Sequence, residues 1–249
     1  MIAPLEAWGV PLVGSGSDGL AAENKAHTKR LLVENGVPTP AYEVINGETD
    51  LREISARLGL PLIVKPLVGA ESHGVIKCDD LPSLSAAVEP GLLVEQWKRH
   101  RELTVSVLGN GETRIAAPGE IVLPPAVEYL DLATKRERIV PTLAPAPDND
   151  GTRKAVAVAL DACRVLAVHD WARVDVLLDH EENPYVIDVN ALPGLRKVAD
   201  HPSYFPRCLA LTTGMSYQQV VLALVAAAAS RQRLPVPPAA SSLPGTLSP

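Results

Sequence analysis

The stretch WARVDVLLDHEENPYVIDVNALPG, from Trp171 to Gly194, constrains this chain more than any other. Two apolar runs, ARVDVLL and PYVIDVN, flank the polar segment DHEEN, the pattern of a β-hairpin whose side chains alternate between two faces. Arg173 and Asp175 then share a face of the first strand, and Asp188 and Asn190 share a face of the second. Strands built from Val and Ile do not ordinarily hold carboxylates, because an unpaired charge among apolar neighbours is costly. Two readings account for them. Either Arg173 pairs with Asp175 or Asp188 in a half-buried salt bridge, or the residues form a site. In the second case Asp175, Asp188 and Asn190 offer the hard oxygen ligands that suit Mg²⁺.

The rest of the chain narrows the choice of partner. At 249 residues it can bury a proper core as one large domain or two small ones. A net charge of -6 argues against general nucleic-acid binding, which needs a clustered basic surface, and points to a small or locally bound partner. No window approaches the apolar length of a membrane span, and no basic segment followed by an apolar run opens the chain, so the expectation is a cytoplasmic protein without a membrane partner. Cys78, Cys163 and Cys208 lack any CxxC spacing, which fits reduced thiols better than disulfides or zinc, and the six histidines form no ligand pattern.

Taken in order, residues 1–22 hold a helical turn, a short strand VPLV and a Gly/Ser run, GSGSDG, that lacks a P-loop ending and reads as a flexible connector. A helix over 23–35 carries Lys25 in its first turn and ends at Gly36. The strand AYEVI follows, then a helix over 50–58 closed by Gly59. LPLIVKPLVGAESHGVIKCDD reads as a hairpin, with LIVK and VIKC as strands around a loop of small residues that includes Gly69, Ser72 and Gly74. Such a loop lets backbone N–H groups close over an anion, and Lys65 ends the strand before it, either to neutralise phosphate or as a solvated strand-end lysine. After the helix PSLSAAV, LLVEQWKRHRELTVSVLG places Glu95 and Glu102 around a polar linker between two strands. That linker suits an adenine slot, while surface charges on a β-edge are the plainer reading. Residues 112–147 are Pro-rich and irregular, with a basic cluster at Lys135, Arg136 and Arg138. A helix over 151–168 has Val156, Leu160, Cys163 and Leu166 at helical spacing against a sheet. A short helix near 204–211 and a final one capped by Ser216 or Thr213 follow, and residues 235–249, rich in Pro and Ser, read as a disordered tail.

This succession resembles the D-alanine-D-alanine ligase group of ATP-grasp enzymes. The matching pieces are GVPLVGSG, the ENK of Lys25, NGVPTPAY, LPLIVKP with its ESHGV loop, LLVEQW with RELTVSVLG, YLDLATK, ARVDVLL, and VIDVNALPG with GMSYQQVV behind it. The resemblance implies an α+β ATP-grasp fold, with the nucleotide held between the antiparallel sheets of two lobes. The organisation expected is a remnant connector at 1–22, a small lobe at 23–98, a C-terminal lobe with the metal hairpin at 99–234, and the tail. It also implies ATP and two Mg²⁺ ions, with Mn²⁺ as a substitute. Lys25, Lys65 and Lys135 would meet the phosphates, and the loop from Gly69 through Ser72 to Gly74 would close over them. Glu95 would hold the adenine amino group, the backbone of Gln96 and Lys98 the ring edge, and Glu102 the ribose. Asp175, Asp188 and Asn190 would carry the metals, while Arg173 and the N–H of Gly194 would face the reacting carboxylate oxygen. The implied reaction is ATP-dependent joining of a carboxylate to an amine through an acylphosphate.

The sequence departs from the group's pattern in the amino-acid half. Glu71 and Arg136 stand where the group has a serine and a tyrosine, and could pair with each other around a first substrate. The segment after PGL reads RKVADH, without the serine that receives the second substrate's carboxylate in the group, so either Arg196 or Lys197 takes that task or the acceptor lacks a carboxylate. Few residues precede GVPLVGSG, where the group carries a further domain, so a second copy or a partner chain is expected to close the pocket. These departures imply a substrate other than D-alanine. The competing reading is a truncated, non-catalytic ATP-binding protein with an interaction or regulatory role.

Overall fold

The computed structural model describes residues 2–69, 74–98, 101–125, 127–129, 141–197, 203–240 and 242–244. Two antiparallel sheets organise them. The first, in the order β1-β4-β2-β3, uses β1 (Tyr42–Val44), β2 (Leu62–Pro66), β3 (Ile76–Cys78) and β4 (Leu92–Gln96). The second, in the order β7-β6-β5-β8-β9, uses β5 (Arg101–Leu108), β6 (Ile115–Val122), β7 (Thr142–Pro145), β8 (Trp171–Leu178) and β9 (Pro184–Asn190).

Alternation gives each sheet two different faces. In the first, Leu62, Val64 and Val94 bury against Ile54 and Leu58 of α4 (Leu51–Leu58) and Leu84 of α5 (Leu81–Ala87). Asp50 caps α4 by accepting from Arg52 N at 2.8 Å, and Gly59 ends it at φ +77°, as its position after the periodic residues predicts. Lys65 and Glu95 fall on the opposite face, by alternation from Val64 and Val94. In the second sheet, Leu103, Val105, Val174 and Val176 bury against Ala155, Ala159 and Ala162 of α6 (Asp150–Val165). The fully buried stripe of α6 is this alanine row, while Val156 and Leu160, expected to lead the contact, pack at its margin. The other face of this sheet meets Phe205, Cys208 and Leu209 of α7 (Tyr204–Thr213) and Val220, Ala223 and Leu224 of α8 (Tyr217–Arg231). Ser216 caps α8 in a capping box with Gln219.

α3 (Lys25–Glu34) begins at the cap Asn24, whose side chain accepts from His27 N at 3.1 Å, and Gly36 follows it at φ +71°. It precedes the first sheet in sequence, yet its Leu32 belongs to the core of the second sheet. The small lobe expected over 23–98 therefore shares its first helix with the other core.

Four expectations are corrected. Residues 112–147 are not irregular throughout, since they contain β6 and β7. Pro118 sits within β6 just beyond the last β6–β7 pair, Gly119 with Pro145, so on that side the strand has no partner and tolerates proline. VPLV forms no strand, and the Gly/Ser run after it is not loose. Gly14 N donates to Asp170 Oδ2 at 2.8 Å, Leu12 N donates to Gln232 Oε1 at 2.9 Å, and His169 N donates to Ser15 Oγ at 3.0 Å. The tail is in part packed: Pro238–Ala240 form a 3₁₀ turn, Ala240 is buried, and Leu243 lies against the core of α7 and α8. Among the described residues no single helix is long and apolar enough to cross a membrane.

Candidate nucleotide and metal site

The hairpin forms as its alternation predicts. Asp175 lies opposite Asp188, and Arg173 opposite Asn190. A β-bulge then interrupts the ladder, because Val176 pairs with Val186 and leaves Ile187 as the extra residue. Strict alternation would put Val186 on the face of Asp188. The bulge instead lets Val186 and Val189 both bury in the apolar core while Asp188 keeps the site face.

On that face Arg173 grips Asp175 through two hydrogen bonds, Nε to Oδ1 at 3.0 Å and a terminal nitrogen to Oδ2 at 2.9 Å. Thr104, directly across on β5, adds a third, its Oγ1 donating to Asp175 Oδ1 at 2.7 Å. The Asp175 carboxylate, outweighing the burial that opposes it, raises the Arg173 pKa, so the guanidinium stays charged. The salt-bridge reading of Arg173 is thus correct as far as it goes, and it does not exclude a site. Asp175 uses two of the five N–H donors of Arg173. Lys25 Nζ stands 3.6 Å from Asp188 Oδ1 and donates to the carbonyl of Gly69 at 2.9 Å, which joins the small-residue loop to the hairpin. Asn190 Oδ1 accepts from Leu192 N at 3.0 Å.

From the other sheet, Lys65 Nζ donates to Glu95 Oε1 at 2.5 Å and to the carbonyl of the bulge residue Ile187 at 3.3 Å. Lys65 and the Asp175–Asp188 hairpin therefore touch. Glu95 is 5% exposed and has a second cation, Lys29 Nζ, 2.8 Å from Oε2. Burial alone would raise the Glu95 pKa; the ammonium groups of Lys29 and Lys65 outweigh it and hold the carboxylate ionised. Glu95 Oε2 is buried, with the Lys29 ammonium as its counter-charge.

The remaining expected residues fall as follows. Gln96 spends its backbone N–H on Ala41 O at 2.9 Å and its side chain on Leu58 O at 2.7 Å, which removes that N–H as a hydrogen-bond donor to a base. Lys98 Nζ lies 5.5 Å from the centroid of the Tyr185 ring. Glu102 shares the Thr104 face of β5, and Tyr204 stands near: burial first, then the carboxylates of Glu102 and Asp175, push the Tyr204 phenol up to about 12. Gly74, at φ +70°, leaves no room for a Cβ, which would lie 2.9 Å from Pro66 Cγ. Ser72, Glu71, Lys135 and Arg136 lie outside the described residues.

Gly194 packs closely against a residue from outside the RKVADH run. A Cβ there would lie 2.6 Å from Ser203 Oγ, and Ser203 exchanges hydrogen bonds with Arg196: Arg196 N donates to Ser203 Oγ at 2.9 Å, and Ser203 N donates to Arg196 O at 3.0 Å. A serine is therefore present beside Gly194. Lys29, Thr104 and Tyr204 also lie beside the candidate residues. A lysine inside an amphipathic helix, a threonine in an apolar strand and a tyrosine opening a helix carry no local mark of function.

The donor set fits Mg²⁺. Two carboxylates and an amide oxygen on facing strands are what that ion takes from protein, with phosphate and water completing its octahedron. Among the described residues no group of three or more His, Cys, Asp or Glu could hold a metal ion.

Comparison with known proteins identifies the family. Residues 31–226 match the family described as D-ala D-ala ligase C-terminus. The chain is 34% identical over 240 residues to the D-alanine--D-alanine ligase of Bordetella avium and 37% identical over 243 residues to that of Bordetella pertussis, covering 93% of this chain and 74% of each relative. Among solved structures it resembles the D-alanine--D-alanine ligase of Bacillus anthracis, with TM-score 0.79 and 23% identity over 93% of this chain and 76% of that one. It also resembles the enzyme from Coxiella burnetii, with TM-score 0.75 and 22% identity over 93% and 64%. The VanG D-Ala:D-Ser ligase of Enterococcus faecalis matches with TM-score 0.76 and 22% identity over 91% and 67%. The fold is ATP-grasp, and the chain belongs to the D-alanine-D-alanine ligase family.

Proposed function

We propose that this chain is the nucleotide-binding and catalytic part of an ATP-dependent ligase that joins a small amino-acid carboxylate to an amine through an acylphosphate. The observation that carries the reading is the meeting of Lys25 and Lys65 with the Asp175–Asp188 hairpin: Lys25 reaches Asp188, and Lys65 reaches the neighbouring bulge carbonyl.

A carboxylate is a poor electrophile. Phosphorylation by ATP forms an O–P bond to the carboxylate and breaks the bond to ADP, a step that asks chiefly for positioning and charge neutralisation. Lys25 and Lys65 supply positive charge at the phosphates, and Glu95 and Glu102 hold the nucleoside end. Asp175, Asp188 and Asn190 would hold Mg²⁺, which when bound neutralises phosphate oxygens. The amine then attacks the acyl carbon, and the oxyanion that forms faces the unused donors of Arg173 and the N–H of Gly194. Removing such a donor typically costs about 3 to 4 kcal/mol of barrier. Collapse expels phosphate and leaves the amide.

For the acceptor, Ser203 beside Gly194, with Arg196 bonded to it, suits an incoming carboxylate, so an amino acid is the fitting nucleophile. Glu71 and Arg136 support a first substrate that differs from D-alanine. Both questions yield to one assay of the purified protein: Mg²⁺-dependent ADP release over a panel of D- and L-amino acids and amines, with the product identified by mass. D-alanyl-D-alanine as the sole product refutes the altered substrate and keeps the ligase. ATP binding without turnover across the panel refutes the ligase.

A further inference from the structure

We propose that Lys29 is a positioning residue that frees the charge of Lys65 for the nucleotide triphosphate by taking up the charge of Glu95; this rests on the nucleotide reading above. Lys29 is 2% exposed. Its ammonium donates to Thr39 Oγ1 at 2.7 Å and to Pro40 O at 3.4 Å, and stands 2.8 Å from Glu95 Oε2. The other oxygen of Glu95 holds Lys65 at 2.5 Å. A buried lysine alone with a carboxylate forms a closed neutral pair, and its attraction for phosphate is largely cancelled. Two ammonium groups around one carboxylate leave one positive charge over. The surplus falls on Lys65, whose remaining contact, Ile187 O, opens toward the hairpin, whereas Lys29 is sealed behind Thr39 and Pro40.

The same lysine also reaches the hairpin. Thr39 Oγ1, which accepts from Lys29, donates to Val186 O at 2.7 Å. Lys29 through Thr39, and Lys65 directly, thus hold two successive carbonyls, Val186 and Ile187, just before Asp188. Burial pushes the Lys29 ammonium down to about 8, with Glu95 pulling back, so the group is maintained in the core at a cost that packing alone does not explain. A methionine would fill the same space without that cost.

Calorimetric titration with Mg²⁺-ATP and with adenosine tests this. Lys29→Met should weaken ATP about 10-fold or more while adenosine changes by no more than about 2-fold, because only the phosphate charge senses Lys65. With Glu95→Gln already present there is no carboxylate for Lys29 to take up, and adding Lys29→Met should then change ATP affinity by less than about 2-fold. Equal losses for ATP and adenosine, or the same ATP loss in the Glu95→Gln background, would make Lys29 merely structural and overturn the proposal. If Lys29→Met does not fold, Lys29→Gln reads the same ratios. If both fail, comparison of the double variant with Glu95→Gln alone decides, since an ATP-selective loss there overturns it. A wild-type chain that binds neither ligand defeats the nucleotide reading and this inference together, whereas wild-type binding with unchanged ratios in the variants defeats this inference alone.

Discussion

Replacing Asp170 with asparagine should cost this protein a large part of its stability, although the residue lies outside the nucleotide cleft. Asp170 is 0% exposed and precedes β8, with φ +63°, a conformation that asparagine adopts as readily as aspartate. The substitution therefore removes charge without disturbing the backbone. The carboxylate accepts from Gly14 N at 2.8 Å, Asn110 Nδ2 at 2.8 Å, Arg231 Nε at 2.9 Å and an Arg231 terminal nitrogen at 2.7 Å. All four partners are donors, so an amide nitrogen in place of either oxygen faces donors and leaves Arg231 partly buried without a counter-charge. Breaking a buried pair in this way costs about 3 to 5 kcal/mol. For a chain of this size, that corresponds to a fall in Tm of roughly 6 to 20 °C. Urea denaturation and a thermal melt, each followed by circular dichroism, measure it. The segment Leu12–Ser15, held by Asp170, Gln232 and Arg231, should also become protease-sensitive. A loss below about 1 kcal/mol would show that the cluster does not fasten this segment.

Thr104→Val, nearly isosteric, removes the hydroxyl that donates to Asp175 Oδ1; it should cost about 1 to 3 kcal/mol in urea denaturation and raise the Mg²⁺ concentration needed for half-maximal ADP release. The Glu95 pKa lies below its ordinary 4.5, so the folded state holds fewer protons than the unfolded state in acid. Its contribution is complete above the unfolded value and is lost as pH falls through the folded one. Glu95→Gln should therefore flatten the acid limb of the stability profile, and an unchanged slope below pH 4.5 would show that the carboxylate is not held ionised by its lysines. Asp188→Asn should abolish turnover while ATP still docks on Glu95 and Lys65, as calorimetry would show; unchanged turnover would remove the hairpin from the site.

Much of this architecture is legible in the sequence where local physics decides it. The pairing of Asp175 with Asp188 follows from period two and a polar turn, and the ends of α3 and α4 follow from Asn24, Gly36, Asp50 and Gly59. What escapes depends on distant partners. The bulge at Ile187 leaves no composition signal, and Lys29 looks like any helix lysine until Glu95 and Thr39 close around it. The Gly/Ser run looks loose because its anchors, Asp170 and Arg231, lie more than 150 residues away. Ser203 is hidden for the same reason, being close to Gly194 in space and not in sequence.

The central claim, ligation through an acylphosphate at the Asp175–Asp188 hairpin, is tested most directly by isotope transfer. With the carboxylate substrate labelled with ¹⁸O and the reaction run in unlabelled water, phosphate released during turnover should carry one ¹⁸O atom from that carboxylate. Unlabelled phosphate would mean that ATP is hydrolysed by water, and would contradict the account.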